Sequence, residues 1–340
     1  MITAAQESLQ NLTKKDFTSD QEVRWCPGCG DYAILSATQK AMAQLGVPRE
    51  NIVFISGIGC SSRFPYYMNT YGIHSIHGRA PAFATGLKLA RPELEIFMVT
   101  GDGDGLSIGG NHLLHILRRN VDVTILMFNN QIYGLTKGQY SPTSSLGKRT
   151  KSSPLGSIDY PLNPISFALA SEATFVARTV DTMSSHLEKT LVDASRHRGV
   201  SFIEILQNCP IFNDGVWDRA RDSKSRKDST AQLVDGEPVV FGADNEKVLC
   251  LSDREFKVAG RGEVAEEDLY IHRESDPSPT TDYLLSRLQF PEFPFILGKF
   301  RTWTRPTYDS MLLSQIDEAK ATQDSGLDKI FRSGDVWEVK

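Results

Sequence analysis

The residues with most chemical potential are five cysteines, Cys26, Cys29, Cys60, Cys209 and Cys250. Cys26 and Cys29 form a Cys-x-x-Cys pair in WCPGCGDY, and Cys209 is followed by Pro210. The count is odd, and the polar start of the chain (MITAAQESLQNLTKKD) has no apolar leader, which argues against a disulfide framework. Two neighbouring thiolates plus two remote ones satisfy a four-thiolate metal site. Spacing alone leaves zinc and an iron–sulfur cluster equally possible, and also the plainer alternative of buried, metal-free thiols. A second constellation pairs Asp102, in GDGDG, with Asn130, in NNQIYG. A carboxylate and an amide oxygen at neighbouring strand ends, about 5 Å apart, could share one Mg²⁺ with phosphate oxygens and water. The plainer reading makes Asp102 a helix cap and Asn129–Asn130 a turn.

These residues need elements to position them. Asn51–Ser56, Glu95–Thr100, Val123–Phe128 and Ser201–Leu206 read as buried strands, with helices expected at Tyr32–Leu45, Pro81–Ala90, Ile108–Arg119 and Met183–His197. Continuous apolar strands alternating with helices predict an α/β fold, a parallel sheet covered by helices on both faces. GIGCSSR, GDGDG, NNQIYG and QNCP each follow one of these strands directly. In an open parallel sheet those loops share the carboxyl edge where such folds bind ligands. Glycine there admits a close anion, and a helix start adds positive potential.

The chain has 340 residues, a net charge of -5, 40% hydrophobic and 23% charged residues, which excludes a disordered chain. Its apolar runs are too short to cross a bilayer, and the acidic balance makes no electrostatic case for nucleic acid. A cytoplasmic protein is expected. Residues 1–214 read as the ligand-binding domain, 215–235 (with DRARDSKSRKDST) as a charged linker or arm, and 236–340 as an irregular, proline-punctuated extension packed on the main domain or a partner.

The GDG at Gly101–Gly103 followed by Asn129–Asn130 resembles the diphosphate-binding motif of thiamine diphosphate enzymes. With WCPGCGDY, GIGCSSR, HSIHGRAPAFATGLKLARP, GDGDGLSIGGNHLLHILRRN and NNQIYGLTKGQYSPTS, the chain resembles the β subunit of 2-oxoacid:ferredoxin oxidoreductases, nearest the 2-oxoglutarate branch. The resemblance is dense from Trp25 to Pro210 and looser in FPEFPFILGKFRTWTRPTYDS.

That resemblance implies thiamine diphosphate, Mg²⁺ and one [4Fe–4S] cluster. Asp102, Asn130 and the carbonyl of Ile132 would hold Mg²⁺. Ile58, Gly59, Cys60 and Ser61, with His77, Gly103, Asp104, Gly134 and Leu135, would line the thiamine diphosphate. Cys26, Cys29, Cys60 and Cys209 would hold the cluster, leaving Cys250 over. Because Cys60 lies in the loop that cradles the diphosphate, cluster and cofactor would be close enough for electron transfer, which favours iron–sulfur over zinc.

The implied activity is CoA-dependent oxidative decarboxylation of 2-oxoglutarate to succinyl-CoA and CO2, with electrons passing to ferredoxin. Pyruvate or another 2-oxoacid is the alternative substrate. More distant alternatives are a non-redox thiamine-dependent decarboxylase or carboligase and a zinc-stabilised interaction module. By the same resemblance Arg63 would recognise the substrate carboxylate and Lys137 would bind CoA, against the plainer readings of a surface or diphosphate-contacting arginine and a solvated lysine. His112 and His115 read as a helix face. The carboxylate that activates the aminopyrimidine would come from a larger α subunit, in paired αβ units.

Overall fold

The computed structural model describes residues 12–322 and 326–339. Six parallel strands form its centre: β1 (Ile52–Ser56), β2 (Tyr71–His74), β3 (Glu95–Gly101), β4 (Thr124–Asn129), β5 (Phe175–Val180) and β6 (Ser201–Leu206). They lie in the order β5-β6-β4-β3-β1-β2, all pairs parallel. Side chains alternate between two cores, as strand periodicity requires. Val53, Ile55, Ile96, Met98, Ile125 and Met127 meet the helices Ala80–Ala90 and Gly110–Arg119 on one face. Ile52, Phe54, Phe97, Val99, Leu126 and Phe128 share the other face with the helices Asp31–Leu45 and Ser184–Arg196. Helix ends follow local chemistry: Gly46 (φ +68) and Asn120 (φ +54) terminate their helices in the left-handed conformation.

The expected strands and helices are present to within one or two residues. Two strands of the parallel block escaped the sequence reading, as did the short helices Phe64–Tyr67, Asp102–Leu106 and Pro164–Ala170. β2 is an exposed edge strand without an apolar run, and in β5 Arg178 breaks the run. Arg178 is nevertheless buried, its Nε donating to Glu204 Oε2 of β6 at 2.6 Å.

The C-terminal third differs from expectation more substantially. Residues 215–235 are not a bare linker. They hold the helices Asp218–Arg221 and Ser223–Ser229 and run into β7 (Thr230–Leu233). Their charges are helix-surface charges with local partners: Asp222 caps the second helix through Lys224 N–H, and Arg221 pairs with buried Asp181 at 2.7 Å. Residues 236–340 are likewise more regular than expected, contributing β8 (Val240–Phe241), β9 (Lys247–Ser252), β10 (Glu255–Gly260) and β11 (Phe295–Thr302). β11 pairs antiparallel with β5 and parallel with β7, and β7 to β10 continue as an antiparallel meander. One sheet of 11 strands therefore spans both parts of the chain. Among the described residues no helix is long and apolar enough to cross a membrane.

Candidate functional site

The four loops singled out in the sequence leave β6, β4, β3 and β1, which are consecutive in the sheet. They surround a cavity of ≈ 440 Å³, within the ordinary size of a cofactor site. All nine residues expected to line thiamine diphosphate border it: the run Ile58 to Ser61, His77 at the rim, Gly103 and Asp104, and Gly134 and Leu135. So do Asp102, Asn130 and Ile132.

The glycines are there for clearance. A Cβ on Gly103 would run into the ring of Tyr133, whose hydroxyl donates to Gly103 O at 3.0 Å. A Cβ on Gly57 would strike the Asp104 carboxylate. Asp104 itself ties the loops together: Oδ1 accepts from Gly78 N–H at 2.8 Å and Oδ2 from Thr100 Oγ1 at 3.1 Å. Burial raises its pKa against those hydrogen bonds. Asp104 thus borders the cavity, but its carboxylate secures the cavity wall.

Asp102 follows the last residue of β3, and Asn130 the last residue of the adjacent β4. Asp102 is 2% exposed, and burial pushes its carboxyl up to about 6 despite hydroxyl donors from Ser141 and Thr143. Asn130 Oδ1 accepts Ile132 N–H at 3.1 Å, closing a side-chain turn, and its second lone pair remains available to a cation. The donor set, one carboxylate, one amide oxygen and a neighbouring carbonyl, is hard oxygen chemistry suited to Mg²⁺.

Beside this cavity lies a second cleft of ≈ 230 Å³ that Cys26, Cys29, Cys60 and Cys209 all border. The segment 26–30 is a tight turn, with Cys29 N–H donating to Cys26 O at 3.0 Å and Gly28 at φ +81. Gly30 N–H donates to Asn208 O at 3.2 Å, stitching the turn to the loop carrying Cys209. A Cβ on Gly134 would lie 3.5 Å from the Cys209 sulfur and 3.7 Å from that of Cys60. Trp25 covers the group, its indole N–H donating to Cys60 O at 2.7 Å. Burial, reinforced by Asp31 and the neighbouring thiols, pushes the Cys60 thiol up to about 12 and raises that of Cys29 as well. The thiols converge without closing on a point: among the described residues, no three Cys, His, Asp or Glu are assembled as a ready metal site. Cys250 is in β9, on the far side of the sheet order, and buried.

Two residues that the sequence reading passed over belong to this region. Gln207 borders both, accepting from Asn130 Nδ2 at 2.8 Å and donating to the Cys29 sulfur at 3.3 Å. Asp31 is buried at the start of its helix and borders the larger cavity, with both carboxylate oxygens lacking a hydrogen-bond partner and its pKa raised by burial to about 7. Their positions beside Cys209 (QNCP) and Cys29 (CGD) were the available signal.

Arg63 lies half-buried where the cysteine cleft meets an outer cavity of ≈ 510 Å³. Lys137 is exposed, at φ +77, on the wall of the cysteine cleft. His112 and His115 lie on the helix Gly110–Arg119, away from both clefts' linings.

Comparison with known proteins decides what this edge belongs to. Residues 57–205 match the family described as thiamine pyrophosphate enzyme, C-terminal TPP binding domain. The chain is 54% identical over 329 residues to a 2-oxoglutarate oxidoreductase subunit KorB of Mycobacterium tuberculosis, covering 96% of this chain and 88% of that protein. This chain belongs to the 2-oxoacid:ferredoxin oxidoreductase β-subunit family. A β subunit of that name from Sulfolobus is 43% identical over 241 residues, covering 70% of this chain and 78% of its own length. The fold also matches a 2-oxoglutarate:ferredoxin oxidoreductase from Magnetococcus marinus, solved with 2-oxoglutarate, coenzyme A and succinyl-CoA bound. Its TM-score is 0.76 at 32% identity, over 96% of this chain and 97% of that one. The matched residues 57–205 contain three of the four loops at the sheet edge built from β6, β4, β3 and β1.

Proposed function

We propose that this β subunit, with an α subunit, oxidatively decarboxylates 2-oxoglutarate with CoA to succinyl-CoA and CO2, delivering two electrons one at a time to ferredoxin. The observation that carries the reading is a shared wall: Cys60, Gly134 and Leu135 border both the thiamine-binding cavity and the four-cysteine cleft. A structural zinc site has no reason to share a wall with the cofactor, whereas an electron relay does. Both the relatives named for 2-oxoglutarate and the Magnetococcus complex favour that substrate over pyruvate.

Thiamine diphosphate, when bound, supplies the carbanion chemistry that releases CO2. This chain's residues grip and orient it. Asp102, Asn130 and the Ile132 carbonyl would hold Mg²⁺ against the diphosphate. Ile58, Gly59, Ser61, Gly103 and Gly134 would present backbone close to it, with His77 and Leu135 at its rim. Cys26, Cys29, Cys60 and Cys209 would hold one [4Fe–4S] cluster, thiolate sulfur being its natural ligand. Arg63, a charged fork beside the cavity, would receive the substrate carboxylate, and Lys137 the anionic part of CoA.

The test is anaerobic co-purification with the α subunit, a visible spectrum, and CoA-dependent reduction of viologen by different 2-oxoacids. Broad iron–sulfur absorption with 2-oxoglutarate as the best substrate is expected. Zinc in place of iron, or no CoA-dependent dye reduction, would overturn the reading, and a preference for pyruvate would overturn the substrate assignment.

A further inference from the structure

We infer that Thr143 is a positioning residue for the cation site: by donating to one oxygen of Asp102 it fixes which oxygen that carboxylate offers the metal. The inference rests on the reading of Asp102 as a cation ligand. Ser141 Oγ and Thr143 Oγ1 donate to Asp102 at 2.5 and 2.6 Å, and both hydroxyls land on Oδ2. Oδ1 takes neither hydroxyl, so the loop makes the two oxygens of a symmetric carboxylate inequivalent and leaves Oδ1 as the one to offer a cation.

The two hydroxyls are not equivalent. Ser141 is engaged locally, its Oγ lying 3.2 Å from Thr143 Oγ1 and 3.3 Å from Ser144 Oγ. Thr143 Oγ1 also lies 3.1 Å from Asn129 Oδ1. Asn129 Nδ2 donates to Glu204 Oε1 at 2.6 Å, and Arg178 Nε donates to Glu204 Oε2 at 2.6 Å. Asp102, Thr143, Asn129, Glu204 and Arg178 are each 9% exposed or less. These buried polar groups lie side by side across the ends of β3 and β4 and into β6 and β5. A hydroxyl has one proton, so Thr143 either donates to Asp102 or to Asn129. An ionised, metal-bound Asp102 is the stronger acceptor and takes it, leaving Asn129 Oδ1 to the Gln131 N–H at 3.2 Å. Ser144 Oγ seats the same loop by donating to Gln131 O at 2.6 Å. Partners that orient a metal's ligands typically change metal affinity about ten- to a hundredfold when removed.

The experiment uses the full chain co-purified with its α subunit, depleted of metal and titrated with Mn²⁺ by electron paramagnetic resonance in the presence of thiamine diphosphate. Thr143→Val keeps the shape and removes the hydroxyl. It should raise the Mn²⁺ dissociation constant about ten- to a hundredfold. Thr143→Ser should restore affinity close to that of the parent. Should Thr143→Val not fold, Thr143→Ala carries the same expectation. A lower melting temperature with unchanged Mn²⁺ affinity would show a merely structural hydroxyl and overturn the inference. Asp102→Ala separates the two levels. If it abolishes Mn²⁺ binding while Thr143→Val leaves binding intact, only this inference fails. If Asp102→Ala also leaves binding intact, the cation reading fails and takes the inference with it.

Discussion

At the scale of single residues, the site separates groups that do chemistry from groups that hold them. Cys60 and Cys209 flank Gly134 in the cleft, whereas Cys250 is buried in β9. Cys60→Ser and Cys209→Ser should therefore each lose most iron and the broad visible absorption, since a hard hydroxyl replaces thiolate poorly. Cys250→Ser should keep both. Iron analysis of the anaerobically purified variants checks this, and the reverse pattern would show the ligand set to be misassigned. Arg63 is half-buried between the outer cavity and the cysteines, so its charge is only partly screened. Arg63→Ala should raise the KM for 2-oxoglutarate about thirtyfold or more, equivalent to about 2 kcal/mol or more, while iron and thiamine diphosphate content hold steady. An unchanged KM would place substrate recognition elsewhere.

At the scale of elements, two buried polar arrangements join parts of the sheet that the sequence does not connect. Arg178 of β5 and Glu204 of β6 form an ion pair with side chains 10% and 1% exposed. Removing one partner strands the other charge in the core, so Arg178→Met should cost about 3–5 kcal/mol in stability, read as a lowered melting temperature. A melting temperature equal to that of the parent would mean that Asn129 alone satisfies Glu204. His272, fully buried, donates from Nε2 to the carbonyl of Lys299 in β11 at 2.8 Å, and Tyr270 Oη lies 3.2 Å from its Nδ1. Burial lowers its pKa in the folded state. The unfolded chain thus binds the proton more readily, and the contribution of neutral His272 is complete above the unfolded pKa and lost as pH falls below it. His272→Gln retains a donor for Lys299 without titrating, so its melting temperature should fall less than that of the parent between about pH 7.5 and about pH 5.5, a range that spans the unfolded pKa. Parallel slopes for the two proteins would sink this assignment.

At the scale of the whole molecule, the cofactor edge is incomplete. Ile108 and Leu135 line the cavity yet are 59% and 46% exposed, and Ile76, in the loop that carries His77, is 65% exposed. Apolar side chains left bare at the mouth of a buried polar site mark a surface awaiting a partner. Among the described residues, the strands that the C-terminal third contributes all extend the far side of the same sheet. The isolated chain should therefore show no 2-oxoacid-dependent dye reduction, and adding the α subunit should produce it. Turnover by the chain alone at the rate of the mixture would place the activating carboxylate within these residues.

The sequence by itself determined four of the six parallel strands, β1, β3, β4 and β6, and which loops meet at their carboxyl edge. Buried strands declare themselves as short β-branched runs, and a loop that directly follows such a run must emerge at the carboxyl edge. That is why GIGCSSR, GDGDG, NNQIYG and QNCP could be brought together before any coordinates. Pairing decided the rest. β2 and the strands after Ser229 carry weak or broken patterns, because an edge strand or an antiparallel meander needs few apolar residues and is stabilised by hydrogen bonds to neighbours remote in sequence. The same holds in the site. Asp102 and Asn130 were singled out by motif chemistry, but Thr143 and Gln207 acquire their surroundings from side chains far away along the chain. A hydroxyl in SPTS or an amide in QNCP looks like any loop residue until tertiary structure sets a carboxylate or a thiol beside it.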